Sequence, residues 1–414
     1  MKIKLLVTSV VAVVLSGCVG GPDLGAWKSS QKREFLEILK EDKYASLCDQ
    51  KALYTQFQEK EDAELMSQLL VGYAKNLANS CIDIRRFKVA QQSRKARGIE
   101  SNYELFLQPV RASDIVMKLK AGWSIERILQ PYVPNYAQFF ALIKSYHALQ
   151  QDPTTNPKTL RKMRLSIERI KLMKRGLGEQ YALVNIPEFK VRIIENNSTV
   201  VSMPVVVGKR HMQTPIFSAD LQYITLNPQW SVPNSIARKE IIPKLLKNPD
   251  YLKRRNMVMR SDYNLGSRKL SPTDVDLKKY AWGKGAVPFK FIEIPSRRNG
   301  LGRVKFIFPN RHSVYMHDTQ SKHLFKRRVR AYSHGCIRLS KPMEMLSYIT
   351  QHYTQKSPSE VDRAYKSLKT THIKLTRRLP VHTAYLTAYV DDANAVHLFD
   401  DIYGFDKVQK LTFR

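Results

Sequence analysis

Tyr332-Ser-His-Gly-Cys336-Ile-Arg338-Leu, with Val314-Tyr-Met-His317-Asp-Thr319 upstream of it, decides how this chain is read. A free thiol is only a few per cent thiolate at neutral pH, so a reacting cysteine needs a base beside it. His317 is the candidate base and Cys336 the candidate nucleophile. Acyl transfer also needs backbone N–H groups aimed at one point to hold a tetrahedral oxyanion. Gly335, directly before Cys336, lets the backbone come close to a substrate. His317 and Cys336 lie 19 residues apart, enough for two strand ends joined by a basic loop. That loop carries Lys322, His323, Lys326, Arg327, Arg328 and Arg330. His334 and Cys336 alternate as strand residues and can share a face.

Outward from the motif, β-branched runs mark a strand-rich region. Tyr181 to Asn185, Lys190 to Glu195, Thr199 to Val207 and Tyr223 to Leu226 read as strands. The expected β-rich domain covers 179–400, followed by a tail over 401–414. Asn234 to about Lys253 reads as helical, which makes 234–287 a candidate insertion and a candidate lid. Upstream, Leu65, Leu69, Tyr73 and Leu77 recur at helical spacing, as do Ile115, Val116 and Leu119. Tyr136 to Leu149 is an amphipathic helix ended by Asp152-Pro-Thr-Thr-Asn-Pro157, and another helix follows from Lys158. The expected fold class is α+β: a helical domain over 27–178, then the β-rich domain with its helical insertion.

His317, a fifteen-residue spacer and Ser333-His334-Gly335-Cys336-Ile337-Arg338 resemble the motif of the L,D-transpeptidase family, whose catalytic domain is called YkuD-like. The likeness extends to Tyr181-Ala-Leu-Val-Asn-Ile-Pro187, Val205-Val-Val-Gly208, Thr214-Pro215, Asn227-Pro-Gln-Trp230, Leu301-Gly302 and Pro380 to Asp401. It is nearest to the larger Gram-negative members, which carry a lid-like insertion. The resemblance implies that Cys336 is the nucleophile and His317 the proton acceptor and donor. It implies oxyanion N–H groups from Gly335 and Cys336, with Ser333 and His334 orienting the neighbourhood. Arg338 would hold a substrate carboxylate, or else form an internal ion pair. Tyr315 and Tyr332 would wall the cleft, although core packing is the better reading of Tyr315. The implied partner is a peptidoglycan stem peptide, joined through a thioester to an amine of a second stem. Water as acceptor would make a carboxypeptidase, and a protein acceptor a tether enzyme. No cofactor or metal is required. The peptidoglycan-binding module of many large members has no room at this junction, where only about 150–159 stand.

Lys2 and Lys4, the apolar run Leu5 to Leu15 and Leu15-Ser-Gly-Cys18 form a signal segment over 1–17. Its end resembles a bacterial lipobox, with Cys18 as the lipidated residue and 18–26 as a tether. The expected address is the periplasm, on a lipid anchor in the outer membrane. The formal charge is +33. Nucleic acid is the first partner such a charge suggests, but a secreted chain does not usually meet it, and acidic wall or lipopolysaccharide surfaces fit better. Cys48 and Cys81 are a candidate disulfide in an oxidising compartment, or two buried thiols. Two rival readings stand beside the acyl-transfer one. A zinc hydrolase would use His312, His317, His323, His334 and Cys336, without any HExxH or CxxC pattern. A non-catalytic wall-binding lipoprotein would keep the fold and lose the chemistry.

Overall fold

The computed structural model describes residues 27–96 and 102–413. The signal segment, Cys18 and the tether lie outside these residues. The chain divides into two compact units, one formed by the segments up to Ala78 and Gln108–Val133, the other by Asn79–Leu107 and Pro134 onward.

The first unit is helical. Its helices run over Ser29–Glu41, Lys51–Lys60, Ala63–Asn79, Ala112–Lys120 and Ile125–Leu129. Spacings of three and four residues bury Phe35, Ile38 and Leu39 on one helix and Leu69, Leu70, Tyr73 and Leu77 on another. Phe35 meets Tyr73 edge to face with ring centroids 6.2 Å apart. Glu34 closes the open N–H groups at the start of the last helix, accepting from Ile125 and Glu126.

The second unit holds the sheets. Its strands are β1 (Gln180–Asn185), β2 (Lys190–Glu195), β3 (Ser198–Gly208), β4 (Ser218–Leu226) and β5 (Trp230–Ser231). Then come β6 (Met257–Arg260), β7 (Lys269–Leu270), β8 (Lys290–Glu293), β9 (Val304–Ile307) and β10 (Met316–His317). The last are β11 (Ala331–Ser333), β12 (Ile337–Leu339), β13 (Thr371–Ala384), β14 (Ala388–Val390) and β15 (Val396–Leu398). Nine strands run in the order β11-β3-β12-β10-β9-β4-β13-β1-β2, and a further β2–β3 pairing closes the sheet on itself. Closure removes exposed strand edges. One face of these strands is apolar: Val205, Val207, Ile224, Leu226, Val304, Phe306, Met316, Ile337 and Leu339 share a core with Met345, Leu346, Ile349 and Tyr353 of the helix Pro342–Tyr353.

The boundary expected at 178 does not fall between the compact units. Helices Ala137–Gln151 and Pro157–Lys171 belong to the unit that holds the sheet. Polar contacts bind the second of them there. Ser166 Oγ accepts from Ala388 N at 2.9 Å. Buried Arg169 donates to Thr387 and Gln409 and pairs with Asp406 at 2.6 Å. Those partners also correct the reading of 401–414 as a tail. Tyr403 and Phe405 are buried in the main core, and the Tyr403 hydroxyl donates to Gly208 O.

The insertion is mixed rather than helical. Short helical turns over Asn234–Ile236, Ala237–Ile241 and Ile242–Lys247 precede a four-stranded antiparallel sheet in the order β5-β8-β6-β7. The small sheet extends the insertion beyond 234–287, because its flanking strands β5 and β8 pair with each other. It has a core of its own, including Val232, Ile241, Ile242, Leu245, Met257, Met259, Phe289 and Phe291.

Candidate active site

Register places the motif residues. β10 pairs in parallel with β12, Met316 opposite Ile337 and His317 opposite Arg338. β9 runs antiparallel on the other side of β10, with Lys305 opposite His317. Side chains alternate along a strand. Since Phe306, Met316, Ile337 and Leu339 fill the core, Lys305, Tyr315, His317, Cys336 and Arg338 share the opposite face. Three strands and the segments leading into two of them thus put a thiol, an imidazole, a phenol, an ammonium and a guanidinium on one face.

The imidazole of His317 is buried and its tautomer is fixed. Nδ1 lies 2.5 Å from Asp318 O and 3.4 Å from Leu301 O. Carbonyls only accept, so Nδ1 carries the proton and Nε2 keeps its lone pair. Burial, helped by the charge of Arg338, depresses the pKa of His317 to about 4. The ring is therefore neutral at pH 7. Asp318 anchors the turn after it, accepting from Arg303 N, Thr319 N and Lys322 Nζ. Gly302 sits against that carboxylate at φ +66°, and a Cβ there would stand 2.3 Å from Asp318.

Cys336 is half-buried and is the free thiol among the described residues. Burial raises its pKa, opposed by hydrogen bonds from the backbone and side chain of Tyr315 and by the charges of Lys305 and Arg338. The loop before it is held from within. Ser333 Oγ donates to Cys336 O at 2.6 Å and accepts from Gly335 N at 3.1 Å. Gly335 adopts φ +114°, a conformation open to glycine, and its carbonyl accepts from Thr214 Oγ1 at 2.8 Å. The N–H of Gly335 is thus already occupied. This corrects the expectation that it is an open oxyanion donor.

His334 reaches the insertion, its Nε2 2.5 Å from Glu240 Oε1. Glu240 lies in a π-helical turn, Ala237–Ile241, a form that is rare and frequent at functional sites. Arg338 shares the face with Cys336, and its buried Nε has no hydrogen-bond partner. Tyr332 is 44% exposed. Much of the basic loop is used structurally. Lys322 pairs with Asp318, Arg328 with Asp400, and Arg330 donates to the carbonyls of Val205, Glu188 and Phe189. Among the described residues no three of His312, His317, His323, His334 and Cys336 come close enough to share an ion. His312 instead bonds Glu104 and packs on Phe217.

Sequence reasoning missed Lys305 and preferred the core for Tyr315. Tyr315 was read as core, but its ring lies 5.5 Å from that of His317 and its pKa is raised by burial and by Cys336. Counting by two from His317 would have found it.

The site is thus a closed β-sheet domain with a cysteine and a neutral histidine on one face. Residues 179–362 match the YkuD family model, the L,D-transpeptidase catalytic domain. The likeness to that family is carried by this segment. A Haemophilus influenzae protein named "Putative L,D-transpeptidase" is 28% identical over 227 residues, which are 54% of this chain and 44% of that protein. The match thus spans less than half of that relative's length. An L,D-transpeptidase from Mycobacterium smegmatis aligns in structure over 50% of this chain and 58% of its own, at 12% identity and a TM-score of 0.22. The Ldtfm-avibactam carbamoyl enzyme aligns over 72% of this chain and 98% of its own, at 11% identity and a TM-score of 0.22.

Proposed function

We propose that this chain is a peptidoglycan L,D-transpeptidase that works through a thioester on Cys336. The observation that carries the reading is the single polar face shared by His317, Cys336 and Arg338, inside the segment that matches the family model. His317 Nε2 takes the thiol proton, and the sulfur attacks the diaminopimelate carbonyl of a tetrapeptide stem. The tetrahedral oxyanion is held by the Cys336 N–H. His317 returns the proton to the departing amine, so D-Ala leaves and a thioester remains. An amine of a second stem attacks the thioester, His317 accepts its proton, and the sulfur is released. Arg338, with its unpartnered Nε, receives a carboxylate of the stem. The insertion, bonded to the motif through Glu240 and His334, covers the cleft as a lid.

The proposed place of action is the periplasm, with Cys18 lipidated and the body tethered to the outer membrane. The high positive charge then favours residence on the acidic wall.

Incubation with tetrapeptide-rich peptidoglycan tests the reading. The expected products are free D-Ala and stems cross-linked between diaminopimelates, both lost in Cys336→Ala. D-Ala release by Cys336→Ala would refute it. Tripeptides without cross-links would make water the acceptor and the enzyme a carboxypeptidase.

A further inference from the structure

Lys305 has no part in the mechanism above, yet it stands on the reacting face. It occupies the second position of β9, in register opposite His317. Its neighbours Val304 and Phe306 point into the core, so its own side chain must leave by the face that carries the thiol. The ammonium does not run free there. Nζ lies 3.9 Å from the centroid of the Tyr315 ring, within the range of a cation–π contact. The same Tyr315 meets His317 at 5.5 Å and accepts at its carbonyl from Ile337 N at 3.0 Å, directly after Cys336. Tyr315 thus seats the ammonium on one side and touches the thiol segment on the other.

A lysine taken out of water needs a compensating partner. Burial depresses the pKa of Lys305, and the charge that opposes this is that of Cys336. The groups that act on Cys336 are Lys305 from β9, Tyr315 from the segment before β10 and Arg338 from β12; His317 shares their face, and Sγ lies 3.9 Å from Ser313 O. Glu240 faces Arg338 from the insertion but bonds His334. Around the sulfur the face is therefore cationic, and the anion that balances it is generated when the thiol ionises.

We propose that Lys305 supplies the positive charge that stabilises the anionic sulfur of Cys336, with Tyr315 as the positioning residue that seats its ammonium. The inference rests on the reading of Cys336 as the reacting thiol. It assigns Lys305 a part in forming the nucleophile rather than in holding the fold. Tyr315 sets the distance at which the charge acts.

Alkylation of Cys336 tests this without any peptidoglycan. The full-length chain is treated with iodoacetamide, which is neutral, and with iodoacetate, which is anionic, from pH 5 to 11. The rate is read by mass spectrometry at the peptide containing Cys336. Lys305→Met should shift the pH profile upward by about one unit, a tenfold loss of thiolate below the transition. It should also lower the ratio of iodoacetate to iodoacetamide rates several-fold. Lys305→Arg should restore most of both. Lys305→Gln serves if the Met variant does not melt cooperatively. Profiles and ratios that superimpose on wild type in an uncharged variant would overturn the inference while leaving Cys336 as nucleophile. Failure of the proposed function would appear separately, as D-Ala release by Cys336→Ala.

Discussion

The large closed sheet and the small sheet of the insertion are built on different terms. The large sheet has a continuous core, and its strands β9, β10 and β12 turn one side chain in two toward the reacting face. The small sheet has a separate core around Phe289 and Phe291. Arg238 holds its loop by donating to the carbonyls of Tyr280, Gly285 and Ala286. A bond between them at the motif is the contact of Glu240 with His334. The positions of thiol and imidazole therefore depend on the main core, while the insertion packs by itself and is free to differ. The proposed chemistry thus rests on the first body and the proposed lid on the second.

The comparison is broken most severely at the imidazole. His317→Ala removes the proposed base, and D-Ala release should fall by about 10²- to 10⁴-fold while the protein stays folded. Equal loss of folding, read by circular dichroism, would make His317 structural.

Next are the two cores. Phe306→Ala in the main core should cost about 3–5 kcal/mol in denaturant unfolding. It should slow iodoacetamide labelling or scatter it over pH as the face loses its register. Phe291→Ala should destabilise the small sheet by a similar amount. Cys336 labelling by iodoacetamide should stay near wild type while stem-peptide turnover falls. If Phe291→Ala abolished labelling as well, the two bodies would not be independent.

Acid comes third. His317 and His382 are buried and neutral, each with its pKa depressed to about 4 from an unfolded value of 6.5. Unfolding lets each take up a proton below pH 6.5. Stability should therefore be full above 6.5 and fall as pH drops toward 4, by up to about 3 kcal/mol for each histidine. Urea midpoints at pH 7, 5.5 and 4.5 would show it, and His382→Gln should remove part of the fall. Glu240→Gln should have the smallest effect, about 0.5–1 kcal/mol on the partly exposed contact. Its trace should appear in KM for the stem peptide more than in Cys336 labelling.

Much of this is legible in the sequence. The strands at 181–185, 190–195, 199–207 and 223–226 were visible because β-branched residues cluster between turns. The motif itself marked where a thiol and an imidazole would meet. Three features were hidden for physical reasons. The helix at 157–171 reads as polar, with Arg164, Glu168, Arg169 and Lys171, yet these side chains are buried and the helix lies in the sheet's own unit. Charge pairing with Asp406 and within the helix lets it enter where composition alone would exclude it. Residues 401–414 look like a tail because the aromatic anchors Tyr403 and Phe405 are too few to show a period. Lys305 and Tyr315 escaped because a lysine in a strand suggests solvent and a tyrosine suggests core. Only the register against His317 brings them to the thiol.

The most direct measurement is the intact mass of the protein trapped during turnover of a tetrapeptide stem. The account predicts an adduct equal to the stem minus D-Ala, carried by the Cys336 peptide, released by hydroxylamine and absent from Cys336→Ala. An adduct on another residue, or turnover at wild-type rate in Cys336→Ala, would contradict it.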